Sequence, residues 1–340
     1  MTTTPTLDVY GADQVQAWLR GNAQSLFYIV RDTYLAYHAG KAENPNSYFL
    51  RFRDDPYNRI IALPATLENE VPVAGLKWVA SFPGNLERGL DRASALIIVN
   101  DRATGYPLAC LEGSLISAAR TAASAVVGIQ YLQVTQRRRH IGRLGVVGCG
   151  PISLACVNLL CDLGWTFGPL QLFDQRPERV QQFSAKLERR AIKATGVSLE
   201  VAVASSDVVL FATSAIAPHI DAPEWLLHRP TLIHLSLRDL SPRVIRTAQN
   251  VADDIDHCMK ADTSLHLTEQ QDGNRAFIQL NIADLISGRV QPDPDKPRIY
   301  SPFGMGILDL AVARAIIADP RIQPVTSVPR FFPAPYVQSA

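Results

Sequence analysis

The sequence predicts an α/β protein organised around a doubly wound parallel sheet. Three observations carry that expectation. From Arg143 onward, short apolar strands (RLGVV, PLQLFD, DVVLFAT, TLIHLS and NVADDI) alternate with helix-forming stretches, the pattern of a parallel sheet with crossover helices. The first of these strands runs directly into a glycine-containing turn, Gly148-Cys149-Gly150-Pro151-Ile152, that opens a helix. Upstream, the first third of the chain mixes helical and strand periods, so an α+β region accompanies the parallel sheet.

Composition bounds the rest. A chain of 340 residues has room for two ordinary domains, and 47% hydrophobic with 19% charged residues is enough to bury a core. The formal net charge is +1, so no strong field draws the protein to nucleic acid or to an acidic membrane surface. The five cysteines form no CxxC pair and no metal-ligand spacing, which suits free thiols in a reducing compartment. The N-terminus has neither the basic start nor the apolar centre of a secretory signal. The longest apolar stretches read as strand-sized and too short to span a bilayer. A cytoplasmic protein with no membrane or nucleic-acid partner is expected.

Taken in order, Asp8 to His38 carries apolar residues at helical spacing (Val15, Trp18, Leu19, then Leu26, Ile29, Val30). From Tyr48 to Val99 the runs SYFLRF, RIIALP, VAGLKWVASF and ASALIIVND read as strands separated by Pro, Asn and Gly signals. Asn100-Asp101 with Gly105 reads as a hairpin turn into YPLACLEG. Ser114 to Leu132 is Ala-rich and free of breakers, a good helix. The charge run Arg137 to Arg139 reads as a solvated helix end. Beyond the parallel strands, Gly304 to Ala318 reads as a helix with an apolar face, followed by Pro-rich sequence that is extended or loose.

The sharpest local signal is LGVVGCGPIS, residues 144–153. Gly148 and Gly150 match the first two glycines of a dinucleotide fingerprint, one for the tight turn and one for close approach of a pyrophosphate. A helix starting near Ile152 then aims its free N–H groups at that pyrophosphate. The third fingerprint position is Ser153, a small departure. The next strand ends in Asp174, 24 positions after Gly150, close to the roughly 20-residue spacing of a ribose-binding acid. Asp174 favours NAD over NADP by repelling a 2′-phosphate; Arg176, two residues on, partly counters that preference and leaves NADP open.

Three further residues are less specific. Lys77 interrupts the apolar run VAGLKWVASF; such a lysine is usually at a sheet edge or snorkelling, and otherwise holds a substrate carboxylate or polarises a carbonyl as a catalytic residue. Arg120 lies among alanines in SAARTAASAV and needs a partner, either an anionic ligand or a neighbouring acid. Asp239, in HLSLRDLSP, follows a parallel strand at the ligand-binding edge of such sheets, where a helix cap is the commoner role. DDIDH at 253–257 reads as a solvated turn rather than a metal site, and no metal is expected.

Five segments in order, AGLKWVASFPGN, ARTAASAV, GVVGCGPIS, LRDLSP and SPFGMGILDLAVA, resemble the ornithine cyclodeaminase/mu-crystallin family across nearly the whole chain. SYFLRF, the GLDRASALIIVND run and the LRD form of the aspartate motif resemble its branch of N-(2-amino-2-carboxyethyl)-L-glutamate dehydrogenases, which make 2,3-diaminopropionate for siderophores. The resemblance implies a substrate-binding and dimerisation domain at 1–118 and 305–340 around an inserted NAD-binding Rossmann domain at 119–304, with the active site in the cleft and a homodimer as the assembly. By that resemblance Lys77 and Arg120 bind substrate, Asp239 is the acid/base residue, Thr121 approaches the cofactor phosphates and Thr213 lines the nicotinamide side. Gly148, Cys149, Gly150, Pro151, Ile152, Asp174 and Arg176 complete the cofactor set. Arg51 and Arg92 are candidates for additional substrate carboxylates.

One departure is informative. Cyclodeaminases resemble one another in a glutamate before the Leu-x-Pro of the second strand, where it meets the terminal amine of the substrate. Here Ile61 or Ala62 takes that place, which removes the partner a buried cationic side chain requires. The expectation is NAD-dependent oxidative cleavage of N-(2-amino-2-carboxyethyl)-L-glutamate to 2-oxoglutarate and L-2,3-diaminopropionate. The alternatives are ornithine cyclodeamination, alanine dehydrogenation or ketimine reduction on the same fold, and a non-catalytic, mu-crystallin-like nucleotide binder.

Overall fold

A computed structural model of the chain describes residues 5–68, 72–133 and 139–333. In chain order the elements are β1 (Leu7–Tyr10), α1 (Ala12–Gly21), α2 (Ala23–His38), β2 (Ala42–Glu43), β3 (Tyr48–Phe52), β4 (Asp55–Leu67), β5 (Val73–Ser81), β6 (Ala93–Asn100), β7 (Pro107–Glu112) and α3 (Ser114–Leu132). There follow β8 (His140–Ile141), β9 (Leu144–Val147), α4 (Pro151–Asp162), β10 (Thr166–Phe167), β11 (Leu170–Phe173), α5 (Pro177–Glu188), β12 (Ala194–Gly196), α6 (Leu199–Ala204), β13 (Val208–Phe211) and β14 (Thr231–His234). The last stretch holds α7 (Pro242–Ile245), β15 (Gln249–Ala252), α8 (Ile255–Cys258), α9 (Ser264–Asp272), β16 (Ile278–Asn281), α10 (Ile282–Ile286), β17 (Arg298–Ser301), α11 (Gly306–Ala318) and β18 (Thr326–Val328). The chain divides into two compact units, Met1–Arg120 with Met305–Ala340, and Thr121–Gly304; the first division thus falls after Arg120, where the sequence suggested residue 118.

In the first unit the strands order as β18-β1-β7-β6-β5-β4-β2, with β3 also on β4. Strands β3 to β7 pair antiparallel, as short alternating runs joined by turns require. The register puts Leu63, Lys77, Ile97 and Leu111 in one cross-strand row and Ala62, Trp78 and Leu96 in the next. Neighbouring residues of a strand face opposite sides, so Lys77 belongs to the inner face and Trp78 to the outer one. Helix α11 packs on the sheet at β4, β5 and β6 and on α2. It is buried almost all round, from Gly306 through Ala313, which explains why its sequence is apolar on every side. Gly75 lets the helix settle: a Cβ there would stand 2.9 Å from Leu310 Cδ2 and 2.1 Å from Ile98 O.

The second unit is an eight-stranded sheet in the order β12-β11-β9-β13-β14-β17-β15-β16, parallel throughout. It winds outward in both directions from β9, the doubly wound arrangement expected. Strands β9, β13 and β14 are buried along their whole length, because a parallel sheet covered on both faces offers its strands no polar side.

Several expectations need correction. The Asp8–His38 region is a strand followed by two helices that break at Asn22. Strand β17, which sits between β14 and β15, was not among the expected strands. Its polar Arg298 is buried in the sheet because the guanidinium donates to the carbonyls of Arg229, Asp293 and Lys296 and to Thr231 Oγ1. The Pro-rich tail, expected to be extended or loose, is extended at β18, which pairs antiparallel with β1; residues 334–340 lie outside the described residues. Of the charge run, Arg137 and Arg138 also lie outside them, and Arg139 is not simply solvated, since its Nη1 donates to Leu163 O at 2.5 Å. Helix α3, read as too short for a bilayer, has 19 residues and is long and apolar enough by those two measures alone. Burial of Ala122 through Ile129 within the protein accounts for that apolarity.

Candidate functional site

Two clusters of charged side chains are built from residues that the sequence singles out, one in each unit. The first lies on the inner face of the antiparallel sheet. Lys77, in the interior strand β5, is 2% exposed, so the edge-strand and snorkelling readings both fail. Its Nζ stands 2.7 Å from Asp309 Oδ2 on α11 and 3.3 Å from Ser117 Oγ on α3. Arg120, one helical turn after Ser117, directs Nε to the same Asp309 carboxylate at 3.3 Å and Nη2 to Ser117 Oγ at 3.3 Å. The expected choice for Arg120 between an anion and an acidic neighbour is therefore resolved in part: it has an acid, but shares it. Two cations and one carboxylate leave the cluster one positive charge in excess.

Burial drives the Lys77 ammonium down to about 8, with Asp309 pulling it partly back and Arg120 pushing it further down. Cross-strand pairing places Arg51 opposite Arg59 and Arg59 opposite Ser81, on the Lys77 face of the sheet. Arg51 is exposed, with its guanidinium carbon 5.4 Å from the Phe49 ring centre. Ile61 pairs with Val79 and shares that face, whereas Ala62 pairs with Trp78 on the other, so of these two only Ile61 is on the Lys77 face. Arg92 precedes β6 and falls in step with Ser94 and Leu96, the face opposite Lys77; the structure does not bring it to the cluster.

The second cluster stands at the carboxyl ends of β13 and β14. Asp239 is wholly buried and caps no helix; Ser241 caps α7 instead. Thr213 Oγ1 donates to Asp239 Oδ1 at 2.5 Å, and His219 Nε2 lies 3.1 Å from the same oxygen. Ser236 Oγ donates to Oδ2, with His234 Nε2 at 3.2 Å. Burial raises the Asp239 pKa, but the hydrogen bonds from His219, His234 and Ser236 outweigh it and hold the carboxyl well below the usual range.

The glycine turn adjoins this cluster. Gly148 has φ +93°, and a Cβ on it would meet Ala212 O at 2.6 Å and Thr213 N at 3.1 Å. A Cβ on Gly150 would meet nothing within 4 Å, so protein packing leaves open the space in front of α4. That helix begins at Pro151 rather than Ile152, with Gly150 as its N-cap and no side chain capping it. Ser153, buried, closes the turn by donating to Gly148 O at 2.6 Å. Asp174 Oδ2 accepts from Cys149 N at 2.9 Å and Oδ1 from Arg176 N at 3.0 Å. Beyond Asp174 runs a cleft of ≈ 740 Å³ lined by Phe173, Val180, Gly196, Val197 and Ser198. An uncapped helix start, a turn with no side chain over it, an acid at the next strand end and an adjoining cleft are the features a dinucleotide requires.

The sequence profile of the ornithine cyclodeaminase/mu-crystallin family matches residues 14–320. The chain belongs to that family. Among its relatives, the N-((2S)-2-amino-2-carboxyethyl)-L-glutamate dehydrogenase of Staphylococcus aureus is 28% identical over 77% of this chain and 80% of its own length. The alanine dehydrogenase of Archaeoglobus fulgidus is 27% identical over 89% and 92%. The fold matches that of Thermococcus litoralis Δ(1)-pyrroline-2-carboxylate reductase, solved in complex with NADH and L-proline, with a TM-score of 0.82 at 21% identity over 91% of this chain and 96% of that one. An archaeal alanine dehydrogenase dimer with bound NAD matches with a TM-score of 0.80 at 24% identity over 92% and 95%.

This member of the family also holds functional candidates that sequence reasoning missed. Asp309 is one; its signal was a lone acid in the apolar run GILDLAVARAII. His234 in the apolar strand TLIH is another, whereas nothing around His219 marked it. The DDIDH segment is not a solvated turn. Asp253 is buried and accepts from Phe303 N and Gly304 N at 2.8 and 2.7 Å, Asp254 caps α8, and His257 stacks on Phe303. Thr121 opens the second unit at the middle of α3. Among the described residues, no group of three or more His, Cys, Asp or Glu is placed to hold a metal ion.

Proposed function

We propose that the protein is an NAD-dependent dehydrogenase that cleaves the secondary amine N-(2-amino-2-carboxyethyl)-L-glutamate to 2-oxoglutarate and L-2,3-diaminopropionate, the latter supplying a siderophore or peptide antibiotic. The observation that carries the reading is the buried Lys77–Asp309–Arg120 cluster with its excess positive charge. An uncompensated buried charge costs several kcal/mol, and a substrate carboxylate relieves it. Arg51 on the same sheet face offers a second carboxylate site, and Ile61 leaves no acid to receive a cationic side chain. The relative from Staphylococcus aureus supports this substrate; the neighbours solved with NADH and NAD support the cofactor, for which Asp174 favours NAD without excluding NADP.

When bound, NAD⁺ would supply the hydride acceptor, and loss of hydride from the glutamyl Cα would leave the substrate as a protonated imine. The protein contributes alignment, charge and protons. Lys77 and Arg120 hold carboxylate, and Gly148, Gly150 and the α4 N-terminus would hold the pyrophosphate, with Thr121 assigned to the same phosphates. Thr213 keeps Asp239 oriented within the acid/base centre that serves hydrolysis of the imine. We also assign the protein to the cytoplasm, where its five free cysteines stay reduced, and to a homodimer through the outer face of the antiparallel sheet.

The test follows NADH absorbance in purified protein with NAD⁺ and the amine, with 2-oxoglutarate assayed in the same tube. Equal yields of the two establish the reading. NADH from alanine alone moves the protein to alanine dehydrogenation. Proline from ornithine without net NADH moves it to cyclodeamination, and NADH binding without turnover makes it a binding protein.

A further inference from the structure

Asp239 is poorly placed to take a proton by itself. It is fully buried, and both oxygens are engaged, Oδ1 by Thr213 and His219 and Oδ2 by Ser236 and His234. A carboxylate whose donors stabilise its ionised form is a weak base, because a catalytic pKa works best near the operating pH. Water could reach it only by displacing one of those donors. Of the two histidines, His234 is wholly buried, whereas the His219 side chain is 31% exposed. His219 is also firmly positioned. Its backbone N and that of Ile220 both donate to Asp239 O at 2.9 Å, and Ile220 pairs with Leu240 in a parallel bridge. Nε2 is turned to Asp239 Oδ1, and no described residue hydrogen-bonds to Nδ1.

We propose that His219 Nδ1 exchanges the protons of imine hydrolysis, with Asp239 orienting the ring and stabilising its charged form. The inference rests on the oxidative cleavage proposed above. Water gives one proton to Nδ1 as its oxygen bonds to the carbon of the protonated imine and the C=N π pair moves to nitrogen, which leaves a neutral carbinolamine. Nδ1 returns that proton to the amine nitrogen of the carbinolamine. The C–N bond then breaks with its electron pair leaving on the amine, while the hydroxyl proton passes to Nδ1 and on to solvent. Protons and electrons balance, and no further oxidant enters. The groups facing the ring are Asp239, with His234 behind it and the neutral Thr213 and Ser236 beside it. Arg238 is the nearby cation, tied to Ala261 O through Nε and Nη2, and its charge interacts with Asp239.

His219→Gln decides the matter, because the amide still donates to Asp239 Oδ1 but does not titrate. The expected result is a fall of about 100-fold or more in steady-state 2-oxoglutarate release, concentrated after NADH formation, with flattening of the pH profile between about 5 and 8. Imidazole added to His219→Ala restores part of the rate. Release by His219→Gln at the wild-type rate with an unaltered pH profile, or no imidazole rescue, would overturn the proposal and leave His219 a support for Asp239. A second readout needs no turnover: the His219 ring nitrogen resonance, assigned by its loss in His219→Gln, changes position in Asp239→Asn. An unmoved resonance counts against the pairing. If wild-type protein makes no NADH from this amine, the substrate reading falls, and the His219 comparison is made on alanine with NAD⁺, whose imine product needs the same water.

Discussion

Lys77 shows how one side chain ties burial to chemistry. Its charge is disfavoured by desolvation and only partly restored by Asp309, so its pKa lies near about 8 rather than at the free value of roughly 10.4. Lysine is charged below its pKa and neutral above it. Anion binding needs the charged form, so carboxylate affinity is intact below pH 8 and is lost as pH rises through it. KM for the amine is therefore expected to stay flat from about pH 6.5 to 7.5 and to climb roughly tenfold per unit above about 8, with kcat changing less. Initial rates across that range check this, and Lys77→Met should show a high KM with no such bend. A KM that is flat to about pH 10 would detach Lys77 from the substrate.

At the scale of elements, the turn into α4 separates two reasons for glycine. Gly148 is required by the protein itself, through φ +93° and the carbonyl of Ala212 at 2.6 Å from a would-be Cβ. Gly150 has an extended backbone and open space, so the fold tolerates a side chain there. Gly148→Ala should lower unfolding stability by about 2 kcal/mol or more, visible as a drop in Tm without ligand. Gly150→Val should melt like wild type yet bind NADH at least about tenfold more weakly in a fluorescence titration, because its side chain fills the approach to the pyrophosphate. Equal NADH affinity in Gly150→Val would remove the dinucleotide from this turn. Element identity was largely legible in the sequence: α3 runs over Ser114–Leu132 as its composition suggests, and β9, β11, β13, β14 and β15 appear where apolar runs alternate with helices. What escaped was β17, a strand only four residues long beginning with an arginine. Its burial depends on the distant acceptors Arg229 O and Thr231 Oγ1 as well as on the nearby carbonyls of Asp293 and Lys296, a combination that no local pattern reveals.

For the molecule as a whole, the outer face of the antiparallel sheet carries an apolar row across four strands: Tyr48, Ala62, Trp78 and Leu96. Tyr48 is 73% exposed, Trp78 41% and Leu96 40%. A contiguous apolar row of this kind marks an interaction surface, and the homodimer proposed above uses it. Trp78→Glu should turn a dimer into a monomer in sedimentation velocity while leaving the far-ultraviolet spectrum intact. A wild-type monomer, or a variant that stays dimeric, would remove this face as the interface.

Local pattern was enough to read the class of fold and to single out most residues of the two charged clusters. Hydrophobic period separates strand from helix, and glycine spacing marks a turn, because both are local consequences of backbone geometry. Lys77, Arg120, Asp174 and Asp239 each stood out as a polar residue where its neighbours are apolar or at a strand end. Only the tertiary structure decided their partners. Lys77 and Asp309 lie 232 positions apart yet approach to 2.7 Å, and His219 reaches Asp239 across 20 positions. A buried charge must be satisfied by whatever residue the fold delivers, and that delivery depends on the packing of whole elements rather than on sequence distance.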